Sequence, residues 1–392
     1  MNYCDAFFDE PIDRRNTACE KWDGLMAREG RELNPMWVAD MDFHGVPEVT
    51  DALVARANHP VYGYTDQTDA SVEAMLAFME RRHHLKLNAK QQALLPCVIS
   101  GLRAAVLALT EPGDHVIIQP PVYGPFAASV LENGRLTAEA PLLRDESGRY
   151  HMDWEALESR CREGAKLMLL CNPHNPVGRC WTCEELTRLY TLLSKYNVAL
   201  ISDEIHEDFV FEKDSFTPIL RIAQGENARV VALTSASKTF NLAGLQQAVL
   251  FTRNLSLKNA LVNLMHRVGV VQGNIFGLAA AEAAYRHGDA WLDGLLSYVK
   301  KAEQLTRAEL AARLPKAVLS PLEATYLGWM DLRAYGYTTE ELMKRTYAAG
   351  VAFTPGTFFG EKEGEGFLRI NLACPHSQTL DAIKRLEKAI KG

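Results

Sequence analysis

Five short, β-rich apolar runs recur between residues 95 and 255: HVIIQP (115–120), KLMLLCN (166–172), VALISDE (198–204), RVVALTS (229–235) and QAVLFT (247–252). Successive side chains of a strand point to opposite faces, so a run that is apolar throughout must be covered on both sides. Helical patterns separate the runs: SGLRAAVLALTE (100–111), FAASVLENG (126–134) and CEELTRLYTLLSKYN (183–197). Strands alternating with helices predict a mostly parallel sheet flanked by helices, the α/β doubly wound class. The texture changes after about residue 290, where SYVKKAEQLTRAELAARL gives way to short strand patterns such as YLGWMDL and FLRINLA. That predicts a smaller α+β domain. The chain of 392 residues has room for both. The expected division is an N-terminal segment 1–45 packing on the small domain, a large α/β domain 46–289 and a small C-terminal domain 290–392.

Several function classes are excluded by what the chain lacks. A formal net charge of -7 gives no basic face for displacing counterions from nucleic acid. The start, MNYCDAFFDEPIDRR, is acidic and has no apolar core of a secretory signal. No apolar stretch reaches the roughly 18 residues of a membrane span, so a cytoplasmic location and no membrane partner are expected. The 8 cysteines are scattered, as suits a reducing compartment. In CWTCEEL, Thr182 and Glu185 form a capping-box pattern that sets Cys183 at a helix start. A redox pair with Cys180 would instead be expected to open the first helix of a much smaller domain. The histidines, His83 and His84 included, show no metal spacing and are read as surface or hydrogen-bonding residues, with no metal expected.

Ligands of open parallel sheets bind outside the carboxyl ends of the strands. Tyr123 follows the first run, Asn172 and Asn175 the second, Asp203, Glu204 and His206 the third, and Ser237 and Lys238 the fourth. On TSASKTFNLAG alone, a solvated amine in a serine-rich turn is the simpler reading of Lys238. Together, the strand ends suit an aldehyde cofactor. Its carbonyl needs a lysine, and its pyridine nitrogen needs a carboxylate to stay protonated. Lys238 and Asp203 supply these. Tyr123 can stack on the ring and Asn175 can donate to the ring's phenolate oxygen. Gly101 and Leu102, where a loop enters a helix, can meet the phosphate along with Ser235 and Ser237.

The motifs LNPMWVADMDF (33–43), VYGYTD (61–66), PPVYGPF (120–126), NPHNPVGR (172–179), SDEIHEDF (202–209), SASKTFNLAGLQ (235–246) and FLRINLACP (367–375) run in one order along nearly the whole chain. This set resembles the fold-type I pyridoxal-phosphate enzymes of the class I/II aminotransferase superfamily, and within them the cystathionine β-lyase/cystalysin-like C–S lyases. The resemblance implies pyridoxal 5'-phosphate as cofactor, Lys238 as the Schiff-base lysine and Asp203 as the pyridinium partner. It implies Tyr123 as the stacking ring, Asn175 as the phenolate donor and Arg369 as the clamp on the substrate carboxylate. It also implies a homodimer in which Tyr64 reaches the phosphate of the neighbouring subunit. His206 stands where many aminotransferases have tyrosine, which suits the lyase branch. Departures are Gln246 in place of the aspartate-type arginine, His376 after ACP where arginine is common, and the cysteines 180 and 183. The expected activity is α,β-elimination on cystathionine or a related cysteine thioether. An aminotransferase sharing the same cofactor residues is the alternative, and a regulatory pyridoxal-phosphate-binding protein the third reading.

Overall fold

Both faces of the central strands are filled, as their unbroken apolar runs require. The computed structural model describes residues 3–392, so Met1 and Asn2 of the N-terminal segment lie outside the described residues. The main sheet has β1 (Gln92–Leu95), β2 (His115–Ile118), β3 (Leu136–Glu139), β4 (Leu167–Cys171), β5 (Ala199–Asp203), β6 (Val230–Thr234) and β7 (Ala248–Phe251), in the order β1-β7-β6-β5-β4-β2-β3. β3, β2, β4, β5 and β6 pair in parallel, while β7 runs antiparallel to both β6 and β1. All five apolar runs became strands. β1 and β3 carry partly exposed or polar residues and gave no such signal.

Alternation within β4 shows how the layers form. Leu167, Leu169 and Cys171 pack with Leu102 and Val106 of the helix Val98–Leu109 and with Leu257 and Leu261 of the helix Leu255–Arg267. Met168 and Leu170 face the opposite core, with Trp181 and with Leu186, Leu189 and Leu193 of the helix Cys183–Lys195. Each such buried aliphatic side chain contributes about 1.5–3 kcal/mol before conformational entropy is counted. The capping box is present: Glu185 N donates to Thr182 Oγ1 at 3.1 Å, and Thr182 N donates to Glu185 Oε2 at 2.8 Å. Cys183 is the first helical residue and is exposed, whereas Cys180 is buried and its thiol is pushed up to about 12 by burial. Both thiols are free, and Cys180 is a poor thiolate.

A second, antiparallel sheet comprises β8 (Val318–Leu319), β9 (Leu327–Asp331), β10 (Thr354–Pro355) and β11 (Phe367–Asn371), in the order β8-β9-β11-β10. The long helix Asp289–Arg313 precedes it, and the helices Thr339–Ala348 and His376–Lys391 pack on one another beside it. The N-terminal segment adds Asn34–Pro35 in parallel to Val351–Ala352. Phe8 is fully buried against Trp291 and Tyr298 of the long helix. The segment is then locked by charge. Lys21, only 1% exposed, lies 2.7 Å from Asp42, and Arg14 reaches both Asp40 and Asp42 at 2.7 Å. Asn371 N donates to Met36 O at 2.9 Å, and Asn371 Nδ2 donates to Val38 O and Asp40 O at 2.6 and 2.7 Å. Residues 36–42 therefore lie in a fixed path over the sheet ends. No helix among the described residues is long and apolar enough to cross a membrane.

Candidate active site

The carboxyl ends of β4, β5 and β6 open into a cavity of about 720 Å³ whose walls include Tyr123, Asn175, Asp203, His206, Ser235, Ser237, Lys238 and Arg369. Eight residues spread from Tyr123 to Arg369 are thus brought to one space by the topology. β7, being antiparallel, contributes the residues before it, Gln246 and Gln247.

Lys238 is placed by a one-turn helix, Ala236–Thr239, just after β6. Ser235 caps that turn: its Oγ accepts from Ser237 N at 3.0 Å and donates to Gln247 O at 2.6 Å. Lys238 Nζ donates to Ala39 O at 2.7 Å. Burial and the nearby Arg369 cation push the amine down to about 8, against the pull of Asp40 and Asp203. Asp203 ends β5, and its Oδ1 accepts from Ile205 N at 3.1 Å. Burial pushes its carboxyl up to about 7, partly offset by that N–H and by Lys238. A cation placed beside Asp203 would restore the carboxylate. His206 is buried and held neutral, pushed down to about 3 by burial and by the Lys238 and Arg369 charges; its Nδ1 has no partner among the described residues.

Arg369 lies on β11, so the small sheet supplies it. It is 4% exposed. Its Nη1 donates to Asn175 Oδ1 at 3.2 Å, and its Nη2 donates to Trp37 O at 2.7 Å and Thr354 Oγ1 at 3.1 Å. None of these partners is a carboxylate, and Nε is buried without a partner among the described residues. Burial pushes the guanidinium down to about 10. A buried cation met only by neutral groups is a receptor for an anion.

The helix Val98–Leu109 begins at the cavity wall, where Cys97, Val98 and Ile99 line it. The first N–H groups of a helix have no intrahelical acceptor, which suits a phosphate. Gly101 and Leu102, the expected phosphate contacts, sit deeper in this helix than its first N–H groups. Leu102 is fully buried in the core, and Gly101 sits one turn inside the helix with its N–H already given to Cys97 O at 3.4 Å. Gly101 is required for packing: a Cβ there would stand 2.8 Å from Leu95 and 2.9 Å from Leu233. Ser235 lines the cavity, but its hydroxyl is committed to Gln247, whereas the Ser237 hydroxyl has no partner among the described residues. Tyr64 is outside the cavity, 96% exposed on the loop before the helix Asp69–His83. Asn172 is structural, accepting from Trp181 N at 3.2 Å. Glu204 turns away to Ser202 Oγ and Ile219 N. His83 is not a surface residue; it is buried on Asp208 at 2.8 Å, with Glu207 beside them, away from the cavity.

Sequence reasoning missed Trp37, Ala39 and Thr354, which hold Arg369 and Lys238 by two carbonyls and one hydroxyl. The WVADMDF stretch is a motif in the sequence, but backbone carbonyls leave no residue-type signal.

Residues 38–386 match the family described as aminotransferase class I and II. The cystathionine beta-lyase PatB of Bacillus subtilis (strain 168) is 38% identical over 386 residues, covering 98% of this chain and 99% of that protein. Protein MalY of Escherichia coli (strain K12) is 33% identical over 390 residues, covering 98% and 99%. The crystal structure of cystalysin from Treponema denticola, which contains a pyridoxal 5'-phosphate cofactor, superposes with a TM-score of 0.94 at 30% identity, covering 98% of each chain. Matched along nearly its whole length and with its polar strand ends gathered in one cavity, the chain belongs to the class I and II aminotransferase family, in the branch that holds these C–S lyases.

Proposed function

We propose that this chain is a pyridoxal-phosphate-dependent C–S β-lyase that converts a cysteine thioether and water to a thiol, pyruvate and ammonia. The observation that carries the reading is one cavity holding a lysine of lowered proton affinity, a buried carboxyl and a buried guanidinium, neither of them in an ion pair among the described residues. Full-length similarity to a cystathionine beta-lyase supports the choice of elimination.

The residues fit the cofactor. Lys238 would hold its aldehyde carbon, Asp203 its ring nitrogen as a cation, and Asn175 its phenolate oxygen. Tyr123 would stack on the ring, His206 would line it, and the helix start at Val98–Ile99 with Ser237 would bind the phosphate. Pyridoxal phosphate, when bound, supplies the electron sink that stabilises negative charge at the substrate Cα and lets a β-substituent leave. Arg369 holds the substrate α-carboxylate by its fork and so fixes which Cα substituent faces Lys238. Burial and the Arg369 cation lower the proton affinity of Lys238, which suits it to take the Cα proton as a neutral amine and return a proton to the departing thiolate. His206 stays neutral and adds no charge that would compete with Asp203.

The active unit is a homodimer in this reading. The exposure of Tyr64, together with Val61, Tyr62, Val268 and Val271, supports a face covered by a second copy. Residues 46–289 and 290–392 are read as large and small domains, with residues 1–45 strapped to the latter.

The test is product analysis with L-cystathionine. Pyruvate should form in equal amount with the released thiol and without an added keto acid. A requirement for a keto acid, with a new amino acid as product, would replace this reading with aminotransfer.

A further inference from the structure

The cavity continues past Arg369 to a second pair of charges, Glu20 and Arg28. Arg28 Nη1 donates to Glu20 Oε1 at 2.6 Å, and the two side chains are 49% and 66% exposed. Trp37 links this pair to the reactive end. Its carbonyl accepts from Arg369 Nη2 at 2.7 Å, and its ring lies 4.8 Å from the Arg28 guanidinium. The two guanidiniums therefore stand one tryptophan apart. The wall around that tryptophan is apolar, built from Leu25, Met343, Tyr347 and Phe353. Glu20 is folded onto Gly24, where a Cβ would stand 2.7 Å from its Oε2.

We propose that Glu20 and Arg28 form a subsite for the distal amino-acid end of a zwitterionic thioether. This deepens the lyase reading and rests on it. A thioether joining two amino acids carries charges, then an apolar CH2–S–CH2 stretch, then charges of both signs again. The cavity presents the same sequence: the Arg369 fork, the apolar wall, then one cation and one anion. Among the described residues Glu20 is the one hydrogen-bond partner of Arg28, so most of its five N–H donors are free for a ligand carboxylate. Glu20 in turn takes the ligand ammonium. The exposed pair adds little to folding, so its removal tests recognition and not stability.

Four substrates separate the contributions in the holoenzyme: L-cystathionine, S-(2-carboxyethyl)-L-cysteine, S-(2-aminoethyl)-L-cysteine and S-ethyl-L-cysteine, which carries no distal charge. Arg28→Gln should lower kcat/KM for cystathionine and the carboxyethyl compound about five- to tenfold relative to S-ethylcysteine, mainly through KM. Glu20→Gln should do the same for cystathionine and the aminoethyl compound, and Gly24→Ala, which pushes the carboxylate away, should follow Glu20→Gln. The same ordering should appear in Kd read from the cofactor absorbance change on adding each compound, which needs no elimination. Ratios that do not change in either variant, or equal losses on all four compounds, overturn the subsite. A new amino acid in place of pyruvate would overturn the lyase reading alone, because the Kd ordering is read independently of the product.

Discussion

Arg369→Met is expected to abolish efficient turnover while leaving the fold nearly as stable as before, and the two halves follow from one geometry. The guanidinium falls from its ordinary 12.5 to about 10 because it is buried. At about 1.36 kcal/mol per pKa unit, keeping the charge there costs about 3 kcal/mol. Its three hydrogen bonds, to Asn175 Oδ1, Trp37 O and Thr354 Oγ1, return about 1 kcal/mol each. Methionine removes cost and return together, and the freed acceptors face a cavity that water enters. The net change should be within about 1–2 kcal/mol, or about 1–3 °C in Tm for a chain of this size. Catalysis has no such offset. Losing two charge-assisted hydrogen bonds to the substrate carboxylate removes about 3–4 kcal/mol, or about 10²–10³-fold in kcat/KM. Pyruvate release coupled to NADH oxidation by lactate dehydrogenase measures the second number, and thermal melting the first. Turnover within threefold of wild type would refute the carboxylate role. A fall in Tm of more than about 10 °C would refute the charge accounting and make Arg369 a structural residue.

Lys238→Ala should lower turnover by about 10⁴-fold or more and prevent borohydride from fixing the cofactor to the chain. In the wild-type apo-protein the rate of pyridoxal phosphate uptake should rise as pH passes about 8, where the buried amine loses its proton, and Arg369→Met should move that midpoint upward by removing a neighbouring cation. Asp203→Ala should cost about 10²-fold or more in turnover without loss of Tm, since burial already disfavours the charged carboxyl it removes. Asp42→Ala should cost about 3 kcal/mol in urea unfolding by leaving the buried Lys21 only its longer 3.5 Å contact with Asp40. Asp42 resists protonation because Lys21 and Arg14 outweigh the opposing effect of burial, so its contribution is present above the ordinary carboxyl pKa and lost as pH falls through the lowered one. Mixing Lys238→Ala subunits with Tyr64→Phe subunits should regenerate activity that neither has alone, and a fully active monomer by light scattering would refute a shared site.

The central strands were legible because burial on both faces forces apolar side chains at every position, as in Leu167–Cys171. Lys238, Asp203, Asn175 and Tyr123 could be grouped because parallel strands deliver their carboxyl ends to one edge. The start of the first cavity-wall helix was hidden for a local reason. The helix at Val98 starts from Cys97, which is not one of the usual capping residues, so Gly101 looked like the last loop position. β1 and β3 gave no signal because Gln92 in the first and Thr137 and Glu139 in the second break the apolar run. His83 is hydrogen-bonding and not at the surface, a choice its sequence left open because its partner Asp208 is 125 positions away in the chain.

The strap of residues 36–42 also sets the mechanics of the molecule. Its first half is fastened to β11 through Asn371, and Met41 is fastened to Asn241, just beyond Lys238, by hydrogen bonds of 3.0 and 2.9 Å. A strap pinned to both sheets beside the lysine acts as a fulcrum. Any rotation of one sheet against the other would then displace Ala39 and Lys238 least and Arg28, Met343 and Tyr347 at the far wall most, so a widening of the mouth would leave the amine in place.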